Sequence, residues 1–278
     1  MSGSKDSNGW RKRFRLKFYQ GLLLGLLLAA WYVLTSPTLL PPIYFSEPNQ
    51  AAFFFGEPFK VLERLWRWFA SGEIYVHLWV TLIETLLAFL IGTVLGVVFG
   101  LWLALAPAAA ALLDPYIKAI NAMPRVILAP IFAVWFGLDI GSKVALGVTL
   151  VFFIVFFNVY QGVREVSFTV VANARILGAS DRQLLRHVYV PSAMSWVFAS
   201  LHNSVGLAFV GAVVGEYLGS SRGVGYLILQ AEGTFDINTV FAGIVVLTAF
   251  ALLLDWLVTL AERRLLVWQP RGGETEKI

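Results

Sequence analysis

The side chains that could do chemistry in this 278-residue chain are few and scattered. Its three histidines, His77, His187 and His202, lie far apart, and none has a second histidine four residues along, as zinc enzymes of the H-E-x-x-H type require. Cysteine is absent, which excludes thiolate metal sites and cysteine nucleophiles. The nearest approach to a phosphate-binding loop, at residues 141–143, lacks the required glycine spacing. These patterns predict no catalytic residue, no metal site and no cofactor bound by the chain itself.

The composition indicates a membrane protein with several crossings. Hydrophobic residues make up 58% of the chain and charged residues only 14%, against about 45–50% and 25% in soluble domains. Residues 85–113 and 188–215 carry no Asp, Glu, Lys or Arg, and about 20 apolar residues suffice to cross a bilayer. The predicted fold class is therefore all-α. Six membrane-spanning helices are predicted at about residues 18–35, 76–105, 124–138, 144–163, 192–218 and 237–261.

The positive charges orient these spans. Lys and Arg concentrate on the cytoplasmic side of membrane proteins, and a cytoplasmic N-terminus leaves 16 of the 21 basic residues in inside segments. Both termini are therefore predicted to be cytoplasmic. We interpret the first span, which follows a basic cluster at residues 11–17, as an uncleaved helix because no clean signal-peptide cleavage site follows it. On the outer side, residues 59–69 predict an amphipathic helix that lies in the membrane interface or packs on the protein surface.

Polar residues inside the spans are the candidates for a solute pathway. A charge at the bilayer centre costs about 2.5–3.5 kcal/mol, so each such residue needs a reason. Glu84, His202 and Asn203 are predicted to line the pathway or to hydrogen bond between helices, and the second alternative is favoured for His202 and Asn203. Glu216 and Asp255 are expected at the membrane interface, near the ends of their helices. With no Lys or Arg expected deep in a span, an anion would be held by neutral donors or helix N-termini.

Glycines recur at every fourth residue in two of the spans. Each set predicts a flat strip that lets a neighbouring helix approach closely. The strip serves either static packing, which is favoured, or a surface along which helices slide during transport. The positions are Gly92, Gly96 and Gly100 in the second span and Gly211, Gly215 and Gly219 in the fifth.

A polar insert at residues 164–191 separates the fourth and fifth spans. Gly178 fits the end of a first short helix, and Ser180 with Gln183 fits a capping box that begins a second, which Pro191 is expected to stop. Because short helices are marginal in water, their apolar stripe is predicted to dock in a groove of another protein or to pack on the chain's own helix ends. The apolar positions are Val170, Val171, Ala174 and Leu177 in the first helix and Leu184, Leu185 and Val188 in the second.

Residues 172–191 resemble the cytoplasmic signature of ABC importer permeases, which is usually written E-A-A, three residues, glycine, nine residues, I-x-L-P. The matching positions are Ala174, Gly178, Val188, Val190 and Pro191. The chain departs from the signature at Ala172, where the family commonly has Glu, and at Asn173, where it has Ala. The resemblance extends over roughly residues 74–262, through the stretches at 72–82, 123–138 and 213–228, and is closest to the branch that imports nitrate, sulfonates and taurine.

This resemblance implies a type I permease that works as a dimer. Two cytoplasmic ATPase subunits, which carry ATP and Mg²⁺, would lie below it, and a periplasmic or lipid-anchored solute-binding protein above. The two short helices at residues 172–187 would be coupling helices that fit clefts in the ATPases. The resemblance assigns ATPase coupling to Ala172, Ala174, Arg175, Leu177, Gly178, Ala179, Ser180, Leu184, Val188 and Pro191.

The predicted function is that of a permease subunit in a bacterial inner membrane, moving a small anion such as nitrate, a sulfonate, taurine or bicarbonate by alternating access. The predicted divisions are a basic tail (1–17), a first helix with an external segment (18–73), the permease core (74–262) and a second tail (263–278). A second copy of the chain and membrane lipid are the other expected partners, and nucleic acid is not one. A passive channel and an intramembrane enzyme are the alternatives.

Overall fold

The computed structural model describes residues 6–36 and 50–265, and the regular structure in these ranges is helical. The first helices are α1 (Asp6–Thr35), α2 (Gln50–Phe55), α3 (Pro58–Ser71), α4 (Glu73–Leu105) and α5 (Pro107–Ala122). A 3₁₀ turn at Arg125–Leu128 leads to α6 (Ala129–Phe136) and α7 (Ile140–Arg164), and the insert holds α8 (Phe168–Ile176) and α9 (Asp181–Leu184). A π-helical turn at Leu185–Tyr189 joins α9 to α10 (Val190–Leu218), which is followed by α11 (Val224–Gly233) and α12 (Ile237–Leu265).

Four helices are long and apolar enough to cross a membrane, and two bent pairs bring the number to six if each pair is one span. The four are Phe14–Thr35, Glu73–Leu105, Ile140–Arg164 and Ile237–Leu260. The pairs are Pro107–Ala122 with Arg125–Phe136, and Asp181–Phe198 with Ser200–Leu218. The predicted all-α fold with about six spans is confirmed.

The predicted third span differs from a single helix. Its residues form the 3₁₀ turn and the eight-residue α6, which lie at 86° to α5, a helix not predicted from the sequence. The break occurs at Met123, whose ψ of 133° is extended. Proline disfavours the α conformation in the residue before it, so Pro124 accounts for the break.

Helix α7 forms the centre of the larger of two compact units, which begins at Gly72. Helices α4 and α10 both pack on α7, and Val151, Val155 and Val159 of α7 are fully buried. The approach of α4 is so close that a Cβ on Gly92 would lie 2.7 Å from the Cβ of Val151. On the side facing α10, a Cβ on Gly211 would lie 2.5 Å from the Cα of Gly147.

The smaller unit contains α1 to α3 and the start of α12. In α3, the apolar residues Val61 and Trp68 are buried, whereas Leu62 and Phe69 are exposed. Arg64 of α3 pairs with Asp236, with 2.7 Å between the guanidinium nitrogen and the carboxylate oxygen. Of the two alternatives for this amphipathic helix, packing on the protein holds for Val61 and Trp68.

Candidate functional site

The two short helices of the insert are joined by a left-handed turn at Gly178. Its φ of +83° is a conformation that side chains with a Cβ rarely adopt. The amide of Ala179 donates to the carbonyl of Ala174 at 3.0 Å, and the amide of Gly178 donates to that of Arg175 at 2.9 Å. This pair of hydrogen bonds is a Schellman motif, which satisfies carbonyl groups at the end of α8.

A capping box starts the second short helix, as its spacing predicts. The hydroxyl of Ser180 accepts from the amide of Gln183, and the Gln183 side chain accepts from the amide of Ser180 at 2.8 Å. An exposed ion pair between Arg175 and Asp181, 2.9 Å apart, spans the turn. The turn is thus fixed from both sides by short-range contacts.

The insert exposes its apolar residues. Ile176 is 82% exposed and Leu177 is 87% exposed, and Phe168 at the start of α8 is also exposed. Leu184 of α9 is buried, and Ala172 and Ala174 are half-buried. A cavity of about 270 Å³ lies in the angle between the two helices, and its lining includes Ala174, Leu177, Gly178, Ala179, Leu184 and Val188.

The second short helix does not end at Pro191 as predicted. It continues through the π-helical turn, in which the amide of Val190 donates to the carbonyl of Leu185, directly into α10. Pro191 lies in the first turn of α10, directly after the π-helical turn, so the one amide proton that proline lacks is missing at the junction of the two helical segments. The insert and the fifth span are therefore continuous.

A second cluster, at the far end of α10, joins three charged side chains that the sequence does not bring together. Glu216 of α10, Glu84 of α4 and Lys143 of α7 are each at most 1% exposed. The hydroxyl of Thr81 donates to one oxygen of Glu216 at 2.6 Å, and the amide of Gly225 donates to the other at 2.8 Å. The interface expectation for Glu216 is wrong, because α4 and the N-terminal turn of α11 cover its carboxyl group.

Lys143 also differs from its predicted place outside the spans. Helix α7 begins at Ile140, so Lys143 lies in its first turn and is fully buried. Its ammonium group donates to the main-chain carbonyls of Leu138 and Asp139. A lysine therefore does lie within a span, but its donors are directed at the backbone.

The loop after α10 closes over this cluster. The amide of Gly223 donates to Nδ1 of His77 at 3.1 Å, and the amide of Val224 donates to the Thr81 hydroxyl at 3.2 Å. A Cβ on Gly223 would lie 2.1 Å from the carboxyl carbon of Glu216, and the φ of Gly223 is +108°. Only glycine fits this position, and a glutamate seven residues before a glycine is the one local signal that could have indicated the contact.

Residues 79–267 match the family described as the binding-protein-dependent transport system inner membrane component. The chain belongs to this family of ABC importer permeases. Members work with ATPase subunits and a solute-binding protein, and they are membrane-spanning transport subunits rather than enzymes.

Curated relatives match most of the permease. It is 32% identical over 263 residues to the putative aliphatic sulfonates transport permease protein SsuC of Bacillus subtilis, covering 92% of this chain and 90% of the relative. It is 35% identical to the riboflavin transport system permease protein RibX of Chloroflexus aurantiacus, covering 78% and 81%. The taurine transport system permease protein TauC of Escherichia coli is 28% identical, with 88% and 87% covered. A solved structure, the MetNI methionine ABC transporter in an inward-facing conformation, shares the fold at 18% identity and a TM-score of 0.60, covering 71% of this chain and 96% of that chain.

The permease does not bring the three predicted pathway residues into one site. Glu84 belongs to the buried cluster with Glu216, whereas His202 of α10 contacts the carboxylate of Asp255 on α12. That contact agrees with the alternative favoured for His202, an interhelical hydrogen bond. Asn203, beside His202, is exposed. Within the residues described, no three His, Asp or Glu side chains gather as metal ligands.

The glycine strips of the permease pack against the same helix, α7, at successive positions along it. Gly92, Gly96 and Gly100 lie against α7 at Val151, Val155 and Val159. Of the second strip, Gly211 and Gly215 lie against Gly147 and Lys143 of α7, and Gly219, just beyond the end of α10, lies against Leu138. Static packing and sliding would both use these contacts, so the choice between the two stays a prediction.

Proposed function

We propose that this permease moves a small solute by ATP-driven alternating access, with the insert as the docking element for two cytoplasmic ATPase subunits. The observation that carries this proposal is the exposed apolar surface formed by Phe168 and Ile176 of α8 and by Leu177, which directly follows it. Three such side chains on so short a segment have no reason to face water unless a partner groove covers them. ATP and Mg²⁺ would bind to the partner subunits.

The continuity of α9 with α10 supplies the mechanical link. A helix transmits displacement along its axis because its backbone hydrogen bonds resist bending, so movement at Ser180 would be carried through Asp181–Phe198 to the 54° bend before Ser200, beyond which the span holds His202 and Asn203. Helix α10 contacts α7 through glycines, where small shifts meet few side chains. Alternating access would then reorient α10 against α7 in a dimer of two identical permease chains.

Single-cysteine labelling tests the docking surface and the topology together, because the natural chain contains no cysteine. We expect Leu177→Cys to react with a membrane-impermeant maleimide only after permeabilisation, and to cross-link to the ATPase in the assembled transporter. Trp66→Cys, on an exposed position of α3 at the predicted outer side, is the matched control and should be labelled in intact spheroplasts. Labelling of Leu177→Cys from outside would overturn both the docking proposal and the assignment of cytoplasmic termini.

For the solute, we propose a small organic sulfonate or a related anion, received from a periplasmic binding protein. The SsuC relative, which matches nearly the whole chain, is named for aliphatic sulfonates. Because Lys143 is buried on backbone carbonyls, neutral donors such as the exposed Asn203 would hold the anion. A heteroaromatic solute is the second candidate, since the riboflavin-transport relative has the higher identity, 35%.

A thermal-shift assay of the cognate binding protein separates these two candidates. Taurine and alkanesulfonates should raise its melting temperature, and riboflavin should not, if the sulfonate assignment holds. Stabilisation by riboflavin alone would replace that assignment by the second candidate. Neither outcome bears on ATPase docking, which the labelling experiment tests separately.

A further inference from the structure

The buried cluster contains one more carboxyl group than it has positive charges. Lys143 is buried with Glu84 and Glu216, and its positive charge acts on both carboxyl groups. Its hydrogen bonds go to the carbonyls of Leu138 and Asp139. Two ionised carboxylates sealed from water beside a single ammonium group would leave one negative charge unbalanced, which is a costly arrangement.

The two carboxyl groups have different hydrogen-bond environments. Glu216 accepts from the Thr81 hydroxyl and from the amide of Gly225 in the first turn of α11, which suits an ionised carboxylate. Glu84 has a buried oxygen, Oε2, that meets no donor. Glu84 lies one turn after Thr81 on α4, and the Thr81 hydroxyl holds Glu216, so the two buried carboxyl groups are neighbours. A hydrogen bond between two carboxyl groups requires a proton on one of them.

We propose that Glu84 and Glu216 form a buried proton-binding site, in which Glu84 carries the proton and donates it to the Glu216 carboxylate. The site then holds one negative and one positive charge, Glu216 and Lys143, and is electrically balanced. It joins α4, α7 and α10 to the loop at Gly223, which the Glu216 carboxyl group touches. The ligand is a hydrogen ion, and the site has a function in transport only if the cluster opens.

The link to transport rests on the proposed function. If alternating access separates α4 from the loop at Gly223, water reaches Glu84, and a hydrated glutamic acid at neutral pH is ionised. The proton then passes to water, and closure takes one up again. Acidic pH therefore stabilises the closed cluster, and alkaline pH favours the open one.

Other titratable and charged groups face the cluster and must be separated from it. They are His77 on α4, Asp139 just before α7 and Tyr226 on α11, and the exposed Arg222 lies next to Gly223 in the loop. Histidine is the one among these types that changes charge near neutral pH, so His77→Gln tests whether a pH response comes from the imidazole.

Infrared spectroscopy of the purified full-length permease tests the site without ATPases or solute. We expect the carbonyl stretching band of a protonated carboxylic acid at pH 7, shifted in D₂O and absent in Glu84→Gln. Glu73→Gln, the same substitution at an exposed position of the same helix, should retain the band, as should Asp255→Asn. A wild-type protein without the band at pH 7, or a band unchanged in Glu84→Gln, would overturn the proposal.

The pH dependence of transport in reconstituted vesicles then tests the coupling. Glutamine keeps a donor where the protonated acid had one, so Glu84→Gln should transport with a pH profile flatter than that of wild type and of His77→Gln. An unchanged profile would refute proton coupling even where the infrared band is present. Should Glu84→Gln fail to fold, the wild-type band in water and D₂O still decides whether the proton is bound. Loss of ATPase docking would leave the infrared result unaffected, so the two proposals fail separately.

Discussion

The turn of the insert exposes its apolar side chains, whereas the cluster around Glu216 buries its charged ones. Leu177 is 87% exposed beside Gly178, and Glu84, Lys143 and Glu216 are sealed between helices. Each arrangement is unfavourable for an isolated chain in its own surroundings. The exposed surface would be stabilised by the ATPase subunit that we propose covers it, whereas the buried charges stabilise one another. Substitutions in the first region are therefore expected to affect mainly function, and substitutions in the second are expected to affect mainly stability.

The largest expected effect comes from removing the only cation of the cluster. Lys143→Met should destabilise the permease by about 3–5 kcal/mol, because Glu216 is left as a buried charge without compensation. The thermal unfolding midpoint in detergent measures this effect. The control is Lys118→Met, an exposed lysine paired with Asp114, for which a change below about 1 kcal/mol is expected.

A double variant sharpens this test. Lys143→Met combined with Glu216→Gln removes both charges and should recover much of the lost stability, as expected for coupled residues. If the double variant is as unstable as the sum of the single variants, then Lys143 and Glu216 are not electrostatically coupled, and the account of the cluster fails.

The next effect is steric, at the loop that closes the cluster. Gly223→Ala places a Cβ 2.1 Å from the Glu216 carboxyl carbon at a φ of +108°, so both the carboxyl group and the backbone must move. We expect a loss of about 2–4 kcal/mol from overpacking and backbone strain. Gly233→Ala, where a Cβ would meet nothing within 4 Å, is the matched control. Equal unfolding midpoints for the two variants would contradict the close contact.

These two regions also differ in how far the sequence predicts them. The turn at Gly178 and the capping box at Ser180 depend on residues within six positions of one another, so spacing alone identifies them. The burial of Glu216 depends on Thr81, which lies 135 residues earlier. A charged residue near the end of an apolar run has the same pattern whether it faces headgroups or a neighbouring helix. Only the packing of α4 against α10 decides between the two.

Two prolines, Pro191 and Pro124, likewise have effects on the helices that depend on more than the local sequence. Pro191 is compatible with the end of one helix or with the first turn of the next, and the sequence on both sides is apolar enough for either. The continuous helix is set by the π-helical turn before it. Pro124 does interrupt the helix. The 86° bend, however, also depends on α5, whose residues lie before the predicted third span.

A smaller change in stability, with a large one in function, is expected in the exposed region. Gly178→Ala forces a Cβ into the left-handed turn at a cost of about 1–2 kcal/mol, although a Cβ there would meet nothing within 4 Å. We expect transport and solute-stimulated ATPase activity to fall, because the angle between α8 and α9 changes, while membrane insertion stays normal. Gly25→Ala, also in open space but in helical conformation within α1, should leave both activities unchanged. Full transport by Gly178→Ala would show that the turn geometry has no role in coupling.

The smallest effect lies at Asp236, before α12, and depends on pH. Burial would raise the pKa of its carboxyl group, but hydrogen bonds from Thr239 and the ion pair with Arg64 outweigh burial and hold the pKa below its ordinary value. A lowered pKa in the folded state stabilises the protein above the ordinary value of about 3.9, and this stabilisation is lost as the pH falls through the folded-state pKa. Because the pair is about one-third exposed, we expect at most about 1 kcal/mol. The unfolding midpoints of wild type and Asp236→Asn should therefore differ at pH 6 and converge on acidification. A difference that grows on acidification would reverse the sign of the linkage and exclude Asp236 as a stabilising carboxylate.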